Sequence, residues 1–207
     1  MTVQVGLGAR AQKGGAVIVG IAIESGAPRL VLSTFLATAV EGDRLSLEPY
    51  HIAAVMDRGP QGGASEQAKA AVAQGRKRQD GLAAAGLDEL VRGLEQAGGK
   101  PVVAALLVNR AGWVTDLLDY SLAFAGHAPV AEGLAVRDAV RFAFARSGVE
   151  LTEMDEKSLP ERAPHLLRLD SAEIEAGLKA LGASAGRPWR KEQKLACLAA
   201  WTALAAG

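Results

Sequence analysis

Two dense runs of aliphatic residues near the start of the chain restrict its fold more than any other feature. Residues 15–24 read GAVIVGIAIE and residues 29–38 read RLVLSTFLAT, with the four residues SGAP between them. Runs rich in valine and isoleucine are typical of β-strands, and Ser, Gly and Pro favour a turn short enough for a hairpin. With a weaker alternation over residues 3–7, the sequence predicts three consecutive antiparallel strands.

The middle of the chain alternates between helical and strand-like patterns. An alanine-rich segment from Ser65 to residue 99 carries a helical stripe of leucine and valine, although its glycines could interrupt the helix. PVVAALLVN, at residues 101–109, has the composition of a central strand that is buried on both faces. Helices are then expected over about residues 115–125 and 131–146, followed by a short strand at GVELTEM.

The C-terminal third is predicted to be helical. Ser158 with Glu161, and Asp170 with Glu173, have the spacing of capping boxes at helix starts. The last helix, within GRPWRKEQKLACLAAW, begins with a basic turn and continues as an apolar run that contains Cys197, for which a buried thiol in a reducing cytoplasm is expected. Helical spacing places Leu195, Leu198 and Thr202 on the buried side of this helix. It leaves Arg190, Lys191 and Lys194 at the exposed start.

These elements predict an α/β fold with a mixed sheet of about five strands, three antiparallel and then two parallel, flanked by helices. The length of 207 residues favours one domain over residues 1–207. Because 23 Lys and Arg residues balance 23 Asp and Glu residues, no overall field attracts nucleic acid or membranes, and such affinity requires a local patch. No stretch approaches the about 20 apolar residues of a membrane span, so a soluble, cytoplasmic protein is expected.

Local sequences resemble proteins of the ribonuclease H-like fold. VGLGARAQKGGAVIVGIAIESGAPRLV is similar to the opening of resolvase-type and predicted-nuclease members, and the residues 189–201 resemble their closing helix. The pairing of HAPVAEGLAVRDAV with PWRKEQKLACLAAW also resembles a bacterial family of such proteins. The resemblance implies a first strand that ends in a metal-binding Asp and a closing helix with an acidic ligand near its start.

The acids that the resemblance implies are largely missing. The first-strand Asp falls at about Gly8, Asn109 and Arg110 follow the central strand, and only Glu192 in the last helix matches in type. Two-metal hydrolysis needs several carboxylates around the ions. An alternative register gives the first role to Glu24, and a nuclease that uses Mg²⁺ or Mn²⁺ would then draw on the candidate catalytic residues Glu24, Glu132 and Glu192.

Basic residues suggest a second kind of site, one that binds an anion or nucleic acid. The candidates come from GLGARAQKGG and from the last helix, and they are Arg10, Lys13, Arg187, Trp189, Arg190, Lys191 and Lys194. A basic first turn opposes the helix dipole, and it either binds an anion at the free amides or extends into water. Trp189 either stacks on a base or anchors the helix in the core.

Three functions follow from these patterns. The first is a ribonuclease H-like domain without a complete two-metal site, and without a cofactor, that binds nucleic acid or a protein partner. The second is the Mg²⁺- or Mn²⁺-dependent nuclease that acts on structured nucleic acid, and the third is a protein that binds a small phosphorylated ligand at the strand ends. His51, His127 and His165 have no metal-ligand spacing, so no metal is assigned to them. Glu132, which flanks a helix start with His127, is interpreted as a structural cap, with acid–base chemistry as the alternative.

Overall fold

The three predicted antiparallel strands open the chain. A computed structural model of the protein describes residues 2–109, 113–186 and 188–206. Its first strands are β1 (Val3–Gln12), β2 (Gly15–Glu24) and β3 (Ala27–Ala37), joined by two tight turns. β1 pairs with β2 and β2 pairs with β3, both antiparallel, which confirms the prediction.

Two further strands extend the sheet on the other side of β1. β4 (Gly99–Val108) and β5 (Glu150–Asp155) lie parallel to β1, and the strand order is β3-β2-β1-β4-β5. Three antiparallel strands followed by two parallel ones confirm the predicted ribonuclease H-like α/β fold. The carboxyl ends of β1, β4 and β5 therefore meet at one edge of the sheet, which we call the carboxyl edge.

Helices cover both faces of this sheet. They are α1 (Arg44–Leu47), α2 (Pro49–Ala54), α3 (Glu66–Gln96), α4 (Leu117–Ala123), α5 (Ala128–Ser147), α6 (Leu159–Leu167), α7 (Ser171–Ala185) and α8 (Lys191–Ala206). α3 and α5 pack on one face, where Leu7, Leu106 and Phe144 share a core. α6, α7 and α8 pack on the other, around Ile21 and Leu107. Within the described residues, no helix is long and apolar enough to cross a membrane.

The alanine-rich segment forms one unbroken helix. Ser65 caps α3 by accepting a hydrogen bond from the backbone N–H of Ala68 at 3.2 Å. A Cβ at Gly75 would lie 2.5 Å from both the carbonyl oxygen of Leu45 and the Cβ of Pro49. This glycine therefore serves the close approach of α1 and α2 to α3 and does not break the helix.

α8 is enclosed on every side rather than along one stripe. Leu198 and Thr202 are buried, as predicted, and so is every residue of the helix from 196 to 203. Leu195, near the start of the helix, also packs against the core on the buried side, as predicted, although it is only half-buried. The basic side chains of the first turn are exposed, and burial raises the pKa of the Cys197 thiol to about 12.

One of the two predicted capping boxes is present. Asp170 and Glu173 satisfy each other's backbone N–H groups at the start of α7. The prediction at Ser158 was wrong, because its side chain caps nothing and its own backbone N–H donates instead to Oδ1 of Asp155 at 2.8 Å. The preceding strand thus stabilises the start of α6 through Asp155.

Candidate functional site

The position that the family resemblance assigns to a first-strand Asp lies directly under α8. A Cβ built on Gly8 would lie 1.8 Å from the carbonyl oxygen of Ala196 and 2.8 Å from the backbone nitrogen of Ala200. At the neighbouring Gly6, a Cβ would lie 2.7 Å from the carbonyl oxygen of Ala200. The backbone of α8 therefore occupies the space into which a side chain on this face of β1 would extend.

Arg10 follows on the same face of β1, where the strand reaches the carboxyl edge. Its Nε donates to Oε2 of Glu156 at 3.0 Å and its Nη2 donates to Oε1 of Glu156 at 2.9 Å. A second carboxylate, that of Glu192 at the start of α8, lies 3.6 Å from Nη1. Each of the three side chains is less than one-third exposed. A guanidinium group is thus held between two carboxylates at the edge where parallel strands end.

Replacing Arg10 with glutamine is expected to lower the free energy of unfolding by about 1–3 kcal/mol. The change removes hydrogen bonds between charged groups and leaves two half-buried carboxylates without their cation. Urea denaturation at pH 7 measures the loss. Arg29→Gln is the matched control, because the Arg29–Glu24 pair is about half exposed and such pairs contribute at most about 1 kcal/mol. Equal losses in the two variants would contradict the assigned role of Arg10.

The three candidate catalytic acids do not converge. Glu24 pairs with Arg29 at 2.7 Å, at the end of β2 that lies opposite the carboxyl edge. Glu132 lies on α5, which covers one face of the sheet, and Glu192 lies on α8, which covers the other. Across residues 2–109, 113–186 and 188–206, no three His, Cys, Asp or Glu side chains come together as metal ligands.

Glu132 instead caps a helix distant in sequence. Its Oε1 accepts hydrogen bonds from the backbone N–H groups of Tyr50 at 2.7 Å and His51 at 3.0 Å, in the first turn of α2. Nδ1 of His51 lies 3.6 Å from the same oxygen. Burial raises the pKa of Glu132 to about 7, although the two backbone hydrogen bonds act in the opposite direction. The structural interpretation of Glu132 fits these contacts, but the helix that it caps is α2 and not its own.

Glu132 also lines a cavity of about 360 Å³ beside the β1–β2 turn. Lys13 and His51 line the same cavity, together with apolar side chains of α1 and α5. Oε2 of Glu132 and Nδ1 of His51 are buried, and neither has a hydrogen-bond partner among the described residues. No sequence signal pointed to this pairing, since the two residues are 81 positions apart.

The basic candidates do not form one patch. Arg190 and Lys191 are exposed where α8 begins near Arg10, and neither forms an ion pair within the described ranges. Lys194 lies beside α7, in a groove that includes Glu175. Lys13 lies on the turn that lines the Glu132 cavity. The prediction for Arg187, like Arg110 after the central strand, falls outside the described residues.

Trp189 anchors the entry to α8. Trp189 is half-buried and packs against the core that lies between the sheet and helices α7 and α8. A Cβ on Gly182, in α7, would lie 2.3 Å from its ring. The alternative role, stacking on a base, would need an exposed ring face. Anchoring is therefore the interpretation that the contacts favour.

Comparison with known proteins gives structural similarity only. No protein-family model and no curated protein matches the sequence. The chain is similar to the Thermus thermophilus RuvC structure, at 13% identity and a TM-score of 0.48, over 97% of this chain and 92% of that one. It is also similar to T. thermophilus RuvC in complex with a Holliday junction substrate, at 13% identity and a TM-score of 0.46, over 98% and 92% of the two chains.

Proposed function

We propose that this chain binds nucleic acid through the basic start of α8 and does not hydrolyse it by a two-metal mechanism. The observation that carries the proposal is the position of Arg10, whose guanidinium group lies between Glu156 and Glu192 at the carboxyl edge. The proposed binding of nucleic acid therefore requires no divalent cation.

Hydrolysis by two metal ions requires carboxylates that converge on the ions and are free to coordinate them. Here two carboxylates at the carboxyl edge, those of Glu156 and Glu192, already neutralise Arg10. The Arg10 guanidinium also occupies the position between these carboxylates that a divalent cation would have to take. Gly8 can carry no acid, because α8 lies against it.

The choice of nucleic acid rests on the exposed cations at the same edge. Arg190 and Lys191 extend from the start of α8 without a carboxylate partner among the described residues. The backbone N–H of Arg190 donates to Oε1 of Gln193 at 3.0 Å, and the helix dipole adds to the attraction for an anion at the amides that follow. Because the net charge of the chain is zero, only such a local patch can provide affinity for phosphates.

Binding is tested by fluorescence anisotropy with labelled single-stranded, duplex, branched and RNA–DNA hybrid oligonucleotides over a range of salt concentrations. For duplex DNA, each protein cation on a phosphate contributes about 0.9 to the slope of log affinity against log salt. The double variant Arg190→Ala, Lys191→Ala is therefore expected to bind more weakly and to lower that slope by up to about 1.8. Its stability should be unchanged or slightly raised, because the two cations oppose the helix dipole.

The matched control is the double variant Arg92→Ala, Lys100→Ala, which removes two exposed cations at the other end of the sheet. It should bind as the unchanged protein does. Absence of any binding at low salt would refute the nucleic-acid proposal and leave a protein partner as the next hypothesis. Cleavage in Mg²⁺ or Mn²⁺ that is lost in Glu192→Ala would refute the non-hydrolytic part.

A further inference from the structure

A second cavity at the carboxyl edge, of about 340 Å³, lies on the face of the sheet that α5 covers. Asn109 and Thr115 line it from the β4–α4 connection, Arg137 and Arg141 from α5, and Glu153 from β5. Its volume falls within the range of about 300–1,000 Å³ that small-molecule sites occupy. It contains none of the residues assigned above to nucleic-acid binding.

The two arginines of this cavity differ in how their charges are balanced. Arg141 donates to Oδ1 of Asp138 at 2.6 Å and also to Oε1 of Glu153. Arg137 donates only to the neutral amide oxygen of Asn109, at 2.6 Å, and no carboxylate of a described residue lies within ion-pair distance of it. Its Nε is buried and has no partner within the described ranges. Arg137 is thus a half-buried cation with no carboxylate in direct contact in the described part of the chain.

Such a cation is costly to the folded protein, since burial removes water from a charged group. Burial lowers the pKa of the Arg137 guanidinium, and the charges of Arg141 and Arg10 lower it as well, whereas Glu156 and Glu153 raise it. A buried charge is normally paired, and among residues 2–109, 113–186 and 188–206 no carboxylate pairs with Arg137 directly. An anion that enters the cavity from solvent would provide one.

We propose that this cavity binds the phosphate group of a small phosphorylated molecule, with Arg137 as its main ligand. The planar guanidinium group presents two parallel N–H donors that match two phosphate oxygens. The Thr115 hydroxyl and the N–H₂ group of Asn109 line the same cavity and can donate to further oxygens. A phosphate monoester is negatively charged at neutral pH and would supply the counter-charge that Arg137 lacks, since Arg141 is already paired with Asp138 and Glu153.

Thermal-shift and calorimetric titrations at constant ionic strength test this inference. The ligands are inorganic phosphate, thymidine 5′-monophosphate, thymidine and acetate, together with a short oligonucleotide. Phosphate and the monophosphate should raise the melting temperature, whereas thymidine and acetate should not. Arg137→Gln should weaken binding of the monophosphate at least tenfold, and Arg146→Gln, which removes an exposed cation from the same helix, should leave it unchanged.

Asn109→Asp provides an independent test in a variant that should fold well. It places a carboxylate against Arg137 without changing the size of the side chain, so it should raise stability and abolish phosphate binding. Unchanged binding in Arg137→Gln or in Asn109→Asp would overturn the inference, and so would failure of the unchanged protein to bind millimolar phosphate. The inference would also be overturned if Arg137 bound the oligonucleotide but neither phosphate nor the monophosphate, since a small molecule is proposed. Loss of nucleic-acid binding in the Arg190, Lys191 variant has no bearing on this site.

Discussion

Gly8→Ala is expected to prevent α8 from docking on the sheet and to remove most or all of the protein's stability. The added Cβ would lie 1.8 Å from the carbonyl oxygen of Ala196, and a helix backbone cannot move aside as a flexible side chain can. Overpacking of a core costs about 1–3 kcal/mol where side chains can adjust, and more is expected here. Displacing α8 would also uncover the face of β1 and β2 that it buries.

Urea and thermal denaturation of Gly8→Ala measure this effect. The control is Gly81→Ala, at an exposed helical position where an added Cβ meets nothing within 4 Å. Because alanine is the better helix former by about 1 kcal/mol, Gly81→Ala should be slightly stabilised. If Gly8→Ala melted at the temperature of the unchanged protein, the close contact between β1 and α8 would be wrong.

The same contact predicts that an aspartate cannot be restored at this position. Gly8→Asp brings the identical Cβ clash and adds a charge under α8. The variant should be at least as unstable as Gly8→Ala and should gain no Mg²⁺-dependent cleavage of nucleic acid. Recovery of activity in this variant would show that α8 yields, and the non-hydrolytic proposal would then have to be revised.

Glu132→Gln is expected to make the protein more stable at pH 8 and to remove part of its pH dependence. The side chain of Glu132 is only 12% exposed, and burial raises its pKa from 4.5 to about 7. The folded protein therefore holds a proton that the unfolded chain has lost between these two pH values. Stability should fall as pH rises from about 4.5 through 7 and then level off, by about 3 kcal/mol in total from this group.

Chemical denaturation from pH 4.5 to pH 8.5 tests this prediction. Subtracting the Glu132→Gln curve from that of the unchanged protein separates the contribution of Glu132 from those of all other titrating groups. The glutamine amide oxygen can still accept from Tyr50 and His51, so the cap of α2 should persist. Glu95→Gln, at an exposed position of α3, should give a flat difference. A rise in stability above pH 5 that depends on Glu132 would contradict the assigned pKa.

The strands were predictable because their signal is local. Valine and isoleucine over residues 15–24 favour extended backbone and fill a buried sheet face, so β2 matches its predicted bounds. The continuity of α3 was harder to predict from local propensity, because the glycine at 75 weakens a helix by itself but is required by the packing of Pro49. That requirement comes from contacts distant in sequence.

In the candidate site, too, features of the local sequence were predictable, whereas contacts between distant residues were not. The sequence itself shows that position 8 carries no acid. It does not show that the carbonyl oxygen of Ala196 occupies the space of the missing side chain. Arg10 was predicted as an anion ligand, yet it is paired with Glu156, 146 positions away. Arg137 was assigned no role at all, since its missing counter-charge becomes visible only when every neighbouring element is in place.

The close packing of α8 on β1 also determines how the protein can fold during its synthesis. β1 leaves the ribosome first among the described elements, and α8 leaves after all the others. Until then Val19 and Ile21 face solvent on an open sheet, because α8 supplies most of the cover over them. Contacts between such distant segments form slowly, and the uncovered sheet is prone to aggregation in the meantime. The docking of α8 is therefore the step that ends this exposure.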